Sequence, residues 1–91
     1  MTTLPGLSSV MKEDYMPARI VAYHRTEELS NGTFIPQVQI LSPSGENVIE
    51  TRLRDDDHPC ATREEAEARE MRLAAAWRVE HFPDLGVSFQ N

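Results

Sequence analysis

The segment from Thr62 to Phe82 constrains the fold of this chain more than any other part of the sequence. Thr62 and Glu65 have the spacing of a capping box, in which the threonine hydroxyl accepts the amide of Glu65 and the glutamate reaches back to the amide of Thr62. The run that follows, REEAEAREMRLAAAWRVEHF, is rich in strong helix formers, and Pro83 ends it. The sequence therefore predicts one long helix.

At about 100° per residue, this helix carries two apolar stripes. The first stripe, which Glu70 interrupts, contains Ala66, Leu73, Ala74 and Trp77. The second stripe lies roughly opposite and consists of Ala68, Met71, Ala75, Val79 and Phe82. One face of a small sheet can cover only one stripe. The other must meet the C-terminal tail, the N-terminal leader or another chain.

Three β-rich segments precede the helix, namely residues 18–26, 33–41 and 47–54. Asn31-Gly32 predicts a turn after the first segment, and Pro43 with Gly45 predicts a turn after the second. The middle segment alternates apolar and polar residues, which is typical of a strand with one buried face. Pro36 has no amide hydrogen for a ladder, so we expect regular pairing to begin at Gln37.

Together these elements predict an α+β domain, a three-stranded antiparallel meander with one C-terminal helix packed on one face (β-β-β-α). The predicted organisation is a flexible leader over residues 1–14, a single domain over 15–82 and a tail over 83–91. Leu85, Val87 and Phe89 alternate in the tail. The tail could add a short strand to the sheet or lie over the helix.

Charge and length limit the function classes. The chain has 91 residues and a net charge of −6, with nine Lys and Arg against fifteen Asp and Glu. This balance disfavours binding to nucleic acid and to anionic membranes. There is one cysteine, no signal-peptide pattern and no apolar run long enough to span a bilayer. These features predict a soluble, cytoplasmic protein.

The segment DDDHPC, residues 55–60, holds the densest set of reactive groups. A zinc site needs about four placed ligands, and calcium needs spaced oxygens with a glycine at the bend. One histidine, one cysteine and three adjacent aspartates meet neither requirement, and no base is paired in sequence with Cys60. We interpret the segment as an acidic, solvated connection to the helix. Metal-dependent or thiol chemistry there is an alternative.

Three motifs occur in a fixed order along the chain: Tyr15 and Ile20 in a Y-x4-I spacing, then NGTFIPQVQI, then ATREEAEA followed by Trp77. With these motifs the sequence resembles, over about residues 15–80, a group of small uncharacterised bacterial proteins. The resemblance implies a strand–strand–strand–helix fold and a bacterial origin, and it carries over no catalytic residue. The sequence departs from the group at Glu70, where small apolar residues are usual. This departure leaves open which helix stripe faces the sheet.

The sequence predicts a non-enzymatic protein-interaction module that self-associates as a homodimer, with no catalytic residue, metal or cofactor. An unidentified protein partner is an alternative to a second copy. A further alternative is a regulator that binds a small ligand or nucleic acid on the open sheet face, through Arg19, Arg52 and Arg54. The candidate interface residues are Ala68, Met71, Ala75, Val79, Phe82, Leu85, Val87 and Phe89.

Overall fold

The structure is a computed structural model that describes residues 19–90. The predicted leader over residues 1–14, and Tyr15 of the Y-x4-I spacing, lie outside the described residues. Within residues 19–90, no helix combines the length and the apolar character that crossing a bilayer requires.

The α+β class and the single helix are confirmed, but the structure has more strands than the three of the predicted meander. Residues 19–90 form six strands and one helix. In chain order they are β1 (Ile20–His24), β2 (Glu27–Glu28), β3 (Phe34–Ile35), β4 (Gln37–Ser44), β5 (Asn47–Arg54), α1 (Arg63–His81) and β6 (Val87–Gln90). β2 lies just past the first predicted strand segment, β3 lies within the second, and the tail contains β6.

The main sheet has four strands in the order β5-β4-β1-β6, and β2 pairs with β3 in a separate two-stranded sheet. β4 is antiparallel to both β1 and β5, so the predicted meander is present as β1, β4 and β5. β6 pairs with β1 in parallel. Parallel neighbours need a crossover connection, and α1 provides part of it. Of the two predicted arrangements of the tail, the added strand is the one that forms.

Two glycines with positive φ close the hairpins. Gly32, at φ 86°, lies in the turn between β2 and β3, where Asn31 Oδ1 accepts the amide of Thr33 at 3.0 Å. Gly45, at φ 64°, lies in the two-residue turn between β4 and β5. This turn is tighter than the sequence suggests, because Pro43 belongs to β4 and pairs with Val48. Such backbone angles favour glycine because it has no Cβ.

The helix begins at the predicted capping box, with one change in its bonding. Thr62 is the N-cap, and its hydroxyl accepts the amide of Glu65 at 3.1 Å. The Glu65 carboxylate accepts the amide of Ala61 at 3.1 Å, one residue earlier than the usual pattern. At the other end, Arg78 donates from Nη1 to the carbonyl of Leu85 at 3.0 Å. This bond ties the helix to the segment that leads into β6.

The core lies between α1 and the sheet face that α1 covers, which we call the inner face. Ala66 and Ala74 are buried, so the stripe that contains Glu70 faces the sheet. Trp77 of the same stripe is partly buried against the core. The sheet contributes the fully buried side chains Ile20, Ala22, Val38 and Ile40. Partly buried residues around them are Leu53, Leu73, Phe82, Leu85, Val87 and Phe89.

Candidate functional site

The most completely buried ionisable side chain among the described residues is Glu70, at 0% exposure. It lies on the helix stripe that packs against the sheet, where the other buried members are alanines. A carboxylate in such a position is costly unless hydrogen-bond donors replace the water that it loses. The surroundings of Glu70 therefore have to supply those donors.

Three groups bind both oxygens of Glu70. His24 Nδ1 lies 2.6 Å from Oε1. The hydroxyl of Thr26 donates to Oε2 at 2.5 Å, and the backbone amide of Gln37 donates to the same oxygen at 2.9 Å. Because a carboxylate only accepts, Nδ1 of His24 carries the hydrogen in the ionised arrangement. We call these four groups the Glu70 cluster.

Local sequence explains how β1 and β4 present these donors. Alternate residues of β1 point to the same face, so His24 follows Ile20 and Ala22 onto the inner face. Phe89 of β6 stacks on the His24 ring, with centroids 4.6 Å apart and planes 23° apart. Pro36 interrupts the chain between β3 and β4, and the next amide, that of Gln37, turns to Glu70 instead of a neighbouring strand.

The geometry of the Glu70 cluster defines what it can do. An imidazole beside a carboxylate is also the arrangement that orients a general base. No pocket is present in the part of the chain that the structure describes. Both oxygens of Glu70 are used in bonds that join β1, the start of β4 and α1. The cluster therefore fixes the helix on the sheet.

The acidic loop, residues 55–60, is largely exposed, as predicted, but its first residue is bonded to the helix. Asp55 accepts a bond from Arg69 Nε at 2.7 Å, and His58 Nδ1 lies 2.9 Å from its other oxygen. The Arg69 hydrogen bond, and then that of His58, hold the pKa of the Asp55 carboxyl below its usual range. Glu65 precedes Arg69 by four residues, the spacing of an ion pair along a helix, but the partner of Arg69 is Asp55. Among residues 19–90, no group of three or more His, Cys, Asp and Glu side chains is arranged to hold a metal ion.

Cys60 is attached to the body of the protein through its backbone. Its amide and carbonyl both bond to Phe34 of β3, each at 2.8 Å. The thiol is partly buried and contacts the carbonyl of His58 at 3.4 Å. These contacts give Cys60 a structural place in the loop, between β5 and the helix N-terminus.

The eight predicted interface residues fall into two groups. Phe82, Leu85, Val87 and Phe89 pack against the core of their own chain. Ala68, Met71, Ala75 and Val79 stay exposed on the outer side of α1, with Met71 at 53% and Val79 at 59%. The tail therefore does not cover the outer stripe, although its apolar residues are partly buried against the core of the same chain.

Two of the three arginines of the alternative ligand face are bonded to carboxylates of the same chain. Arg52 bonds to Glu50 at 2.6 Å, and Arg54 bonds to Glu27 and Asp56. Arg19 is exposed ahead of β1. The pKa of Arg54 is raised, chiefly because its guanidinium donates to Glu27 and then to Asp56. Carboxylates thus neutralise two of the three positions at which an anion would bind.

No protein-family model matches this chain, and neither the curated proteins nor the solved structures contain a significant match. The resemblance to small bacterial domains thus stays a hypothesis based on the motifs of the sequence.

Sequence reasoning treated Glu70 as a flaw in an apolar stripe and did not identify His24 or Thr26 as its partners. A signal was present, since His24 continues the inward alternation of Ile20 and Ala22. A charged residue on a helix stripe and a histidine on a strand, both at core positions, form a natural pair. Their separation of 46 residues hides the pair from any local motif.

Proposed function

We propose that this protein is an interaction module whose primary partner is a second copy of the same chain. The observation that carries this proposal is the distribution of apolar side chains. Among the described residues, the buried apolar set includes three alanines and four larger residues, Ile20, Ile35, Val38 and Ile40. Four other large apolar side chains are half or more exposed, namely Val48, Ile49, Met71 and Val79.

A small domain with a thin core gains stability from additional buried area, and a two-fold dimer is a common source. The exposed residues lie in two regions, which we call patches. Val48 and Ile49 lie near the tip of the β4-β5 hairpin on opposite faces of the sheet, and Met71 and Val79 lie on the outer side of α1. Neither the tail nor the helix covers these patches. Exposed apolar patches on small proteins commonly mark interaction surfaces.

The polar clusters support the same proposal in a different way. The Glu70 cluster uses its donors and acceptors internally, and Arg52 and Arg54 are bonded to carboxylates of the same chain. Polar groups that are already paired within the chain have few free hydrogen bonds for a small ligand. The exposed apolar side chains, in contrast, are free to pack against another protein.

The test is the mass of the full chain in solution. Sedimentation equilibrium and light scattering over a range from about 1 μM to 1 mM should show a reversible monomer–dimer equilibrium. A sample that stays monomeric at the highest concentration would contradict the proposal. Val79→Glu and Val48→Glu, each on its own, then report which patch contributes, and Ala76→Glu on the exposed part of the helix serves as a matched control.

A further inference from the structure

β5 is an outer strand of the four-stranded sheet, and within residues 19–90 it pairs on one side only, with β4. It is eight residues long, Asn47–Arg54. A long edge strand presents unpaired amides and carbonyls, to which a strand of another chain can bond. The other outer strand, β6, has four residues and offers a shorter edge.

The direction of the unpaired groups follows from the ladder. Just past β5, the amide of Asp55 donates to the carbonyl of Pro36 at 3.0 Å, so the backbone of Asp55 faces the β4 side. Facing direction alternates along an antiparallel strand, so Leu53, Thr51 and Ile49 also bond towards β4. The backbone groups of Val48, Glu50, Arg52 and Arg54 therefore point away from the sheet.

We propose that β5 pairs antiparallel with β5 of a second copy, about a two-fold axis that passes beside Thr51. This inference rests on the proposed self-association and assigns its surface and its register. In this arrangement the outward backbone groups of Glu50 in one copy bond to those of Arg52 in the other. The two four-stranded sheets become one continuous sheet.

Charge selects this register. With the axis at Thr51, Glu50 of each copy lies opposite Arg52 of the other, which makes two opposite-charge pairs. An axis at Glu50 places that glutamate opposite itself, and an axis at Arg52 places that arginine opposite itself. Like charges directly opposite on neighbouring strands are destabilising. Charges on an edge strand usually discourage pairing, but the order Glu50 then Arg52 is self-complementary under a two-fold axis.

The same register covers exposed apolar surface. Ile49, at 50% exposure, lies on the inner face with Leu53, because alternate residues share a face. Across the axis, Ile49 lies opposite Leu53 of the second copy, and Thr51 lies opposite Thr51. Val48, at 67% exposure, lies opposite the aliphatic part of Arg54. The outer helix stripe offers two large side chains but no unpaired backbone, so it has less with which to specify one arrangement.

A charge-reversal experiment tests the surface and the register together. Glu50→Arg places arginine opposite arginine at both pairs, and Arg52→Glu places glutamate opposite glutamate. Each variant alone should weaken self-association at least about tenfold, since attraction becomes repulsion at two positions. Mixed in equal amounts, the two variants should form a 1:1 heterodimer, because arginine then faces glutamate at both pairs. The bond between Glu50 and Arg52 within one chain cannot produce that rescue.

A second variant tests the axis independently of charge. The backbone of Thr51 faces β4, so Thr51 and Thr51 of the second copy form a pair that is not hydrogen-bonded. In such a pair the opposite Cα atoms lie about 4.5 Å apart, within the range of a disulfide. Thr51→Cys in a Cys60→Ser background should therefore form a covalent dimer with oxidised glutathione, whereas Ser44→Cys in the same background should not. Circular dichroism confirms that every variant is folded.

The outcomes separate the two proposals. A wild-type chain that is monomeric at all concentrations overturns both. A wild-type dimer that both charge variants retain, or that shows no cross-link at Thr51→Cys, overturns the β5 assignment and leaves self-association standing. A heterodimer from the mixed variants together with the Thr51→Cys cross-link establishes the assignment.

Discussion

Two carboxylate–histidine pairs in this protein have nearly the same local geometry and different surroundings. His24 and Glu70 lie 2.6 Å apart with side-chain exposures of 19% and 0%. His58 and Asp55 lie 2.9 Å apart with exposures of 57% and 13%. The first pair joins residues 46 positions apart in the chain, and the second joins residues three positions apart.

The difference in burial changes what each pair contributes. In water, an exposed ion pair gains little because solvent already satisfies both charges. Glu70 is buried from bulk solvent, so the loss of one donor leaves a buried carboxylate short of a partner. The His58–Asp55 pair, whose residues are close in sequence, therefore contributes little to stability. The His24–Glu70 pair, whose residues are distant in sequence, supports the contact between helix and sheet.

The largest expected effect comes from removal of the Glu70 carboxylate. Glu70→Leu leaves His24, Thr26 and the amide of Gln37 without an acceptor in the core, and we expect a loss of about 3–5 kcal/mol in the free energy of unfolding. Denaturant titration measures it. Glu80→Leu, at an exposed position of the same helix, is the matched control and should change stability by less than about 0.5 kcal/mol. Equal effects at the two sites would show that Glu70 is not the anchor.

Replacing each histidine by alanine compares the buried pair and the exposed pair with the same substitution. His24→Ala removes a donor from a buried carboxylate and a ring that stacks on Phe89, so we expect a loss of about 2–3 kcal/mol. His58→Ala should cost less than about 0.5 kcal/mol because that side chain is mostly exposed. Thermal and denaturant unfolding of both variants give the ranking. A larger loss at His58 would reverse our conclusion about burial.

The capping box lies between the two regions and should have an intermediate effect. Thr62→Ala removes the acceptor of the Glu65 amide at the start of α1, with an expected cost of about 1 kcal/mol. Thr62→Asp restores an acceptor and should recover most of the loss. If the alanine variant unfolds at the same denaturant concentration as the wild type, the cap does not set the start of the helix.

Asp55 should contribute a small stabilisation that depends on pH. Its pKa is lowered in the folded protein by the hydrogen bonds of Arg69 and then His58, so its contribution is present above the unfolded pKa of about 4. The contribution is lost as the pH falls through the lowered folded pKa. Asp55→Asn should therefore be less stable than the wild type at pH 7, by under about 1 kcal/mol, and the difference should vanish once the pH is below the lowered folded pKa. Asp57→Asn, two residues away and exposed, is the control.

The smallest expected effect is that of a chelator on the acidic loop. A structural metal contributes folding free energy directly, so its removal lowers the melting temperature by many degrees. Extensive dialysis against EDTA should leave the melting temperature of this protein unchanged, since the loop bonds internally through Asp55, Arg69 and His58. A large drop after dialysis would require a metal ligand set that includes these groups.

Much of the fold could be predicted because its signals are local. The capping box, the Asn31-Gly32 turn and the alternation after Gln37 each act within a few residues, and the structure has α1, the β2-β3 turn and β4 in those places. The extra strands were harder to predict. β2 and β3 have two residues each, too few for a periodic pattern, and β6 depends on a neighbour, β1, that lies more than sixty residues away in the chain.

What the sequence alone determined is the helix with its start and the three strands of the meander, because capping, turn chemistry and alternation are properties of neighbouring residues. The tertiary structure decided which helix stripe is buried. The sequence left this choice open and counted Glu70 as a defect in its stripe, and in the structure the stripe with Glu70 packs on the sheet. It does so because β1 and the break at Pro36 bring a histidine, a hydroxyl and a free amide to one point. Desolvation of a charge is compensated only by groups that the fold assembles from distant positions, and no local pattern reports them.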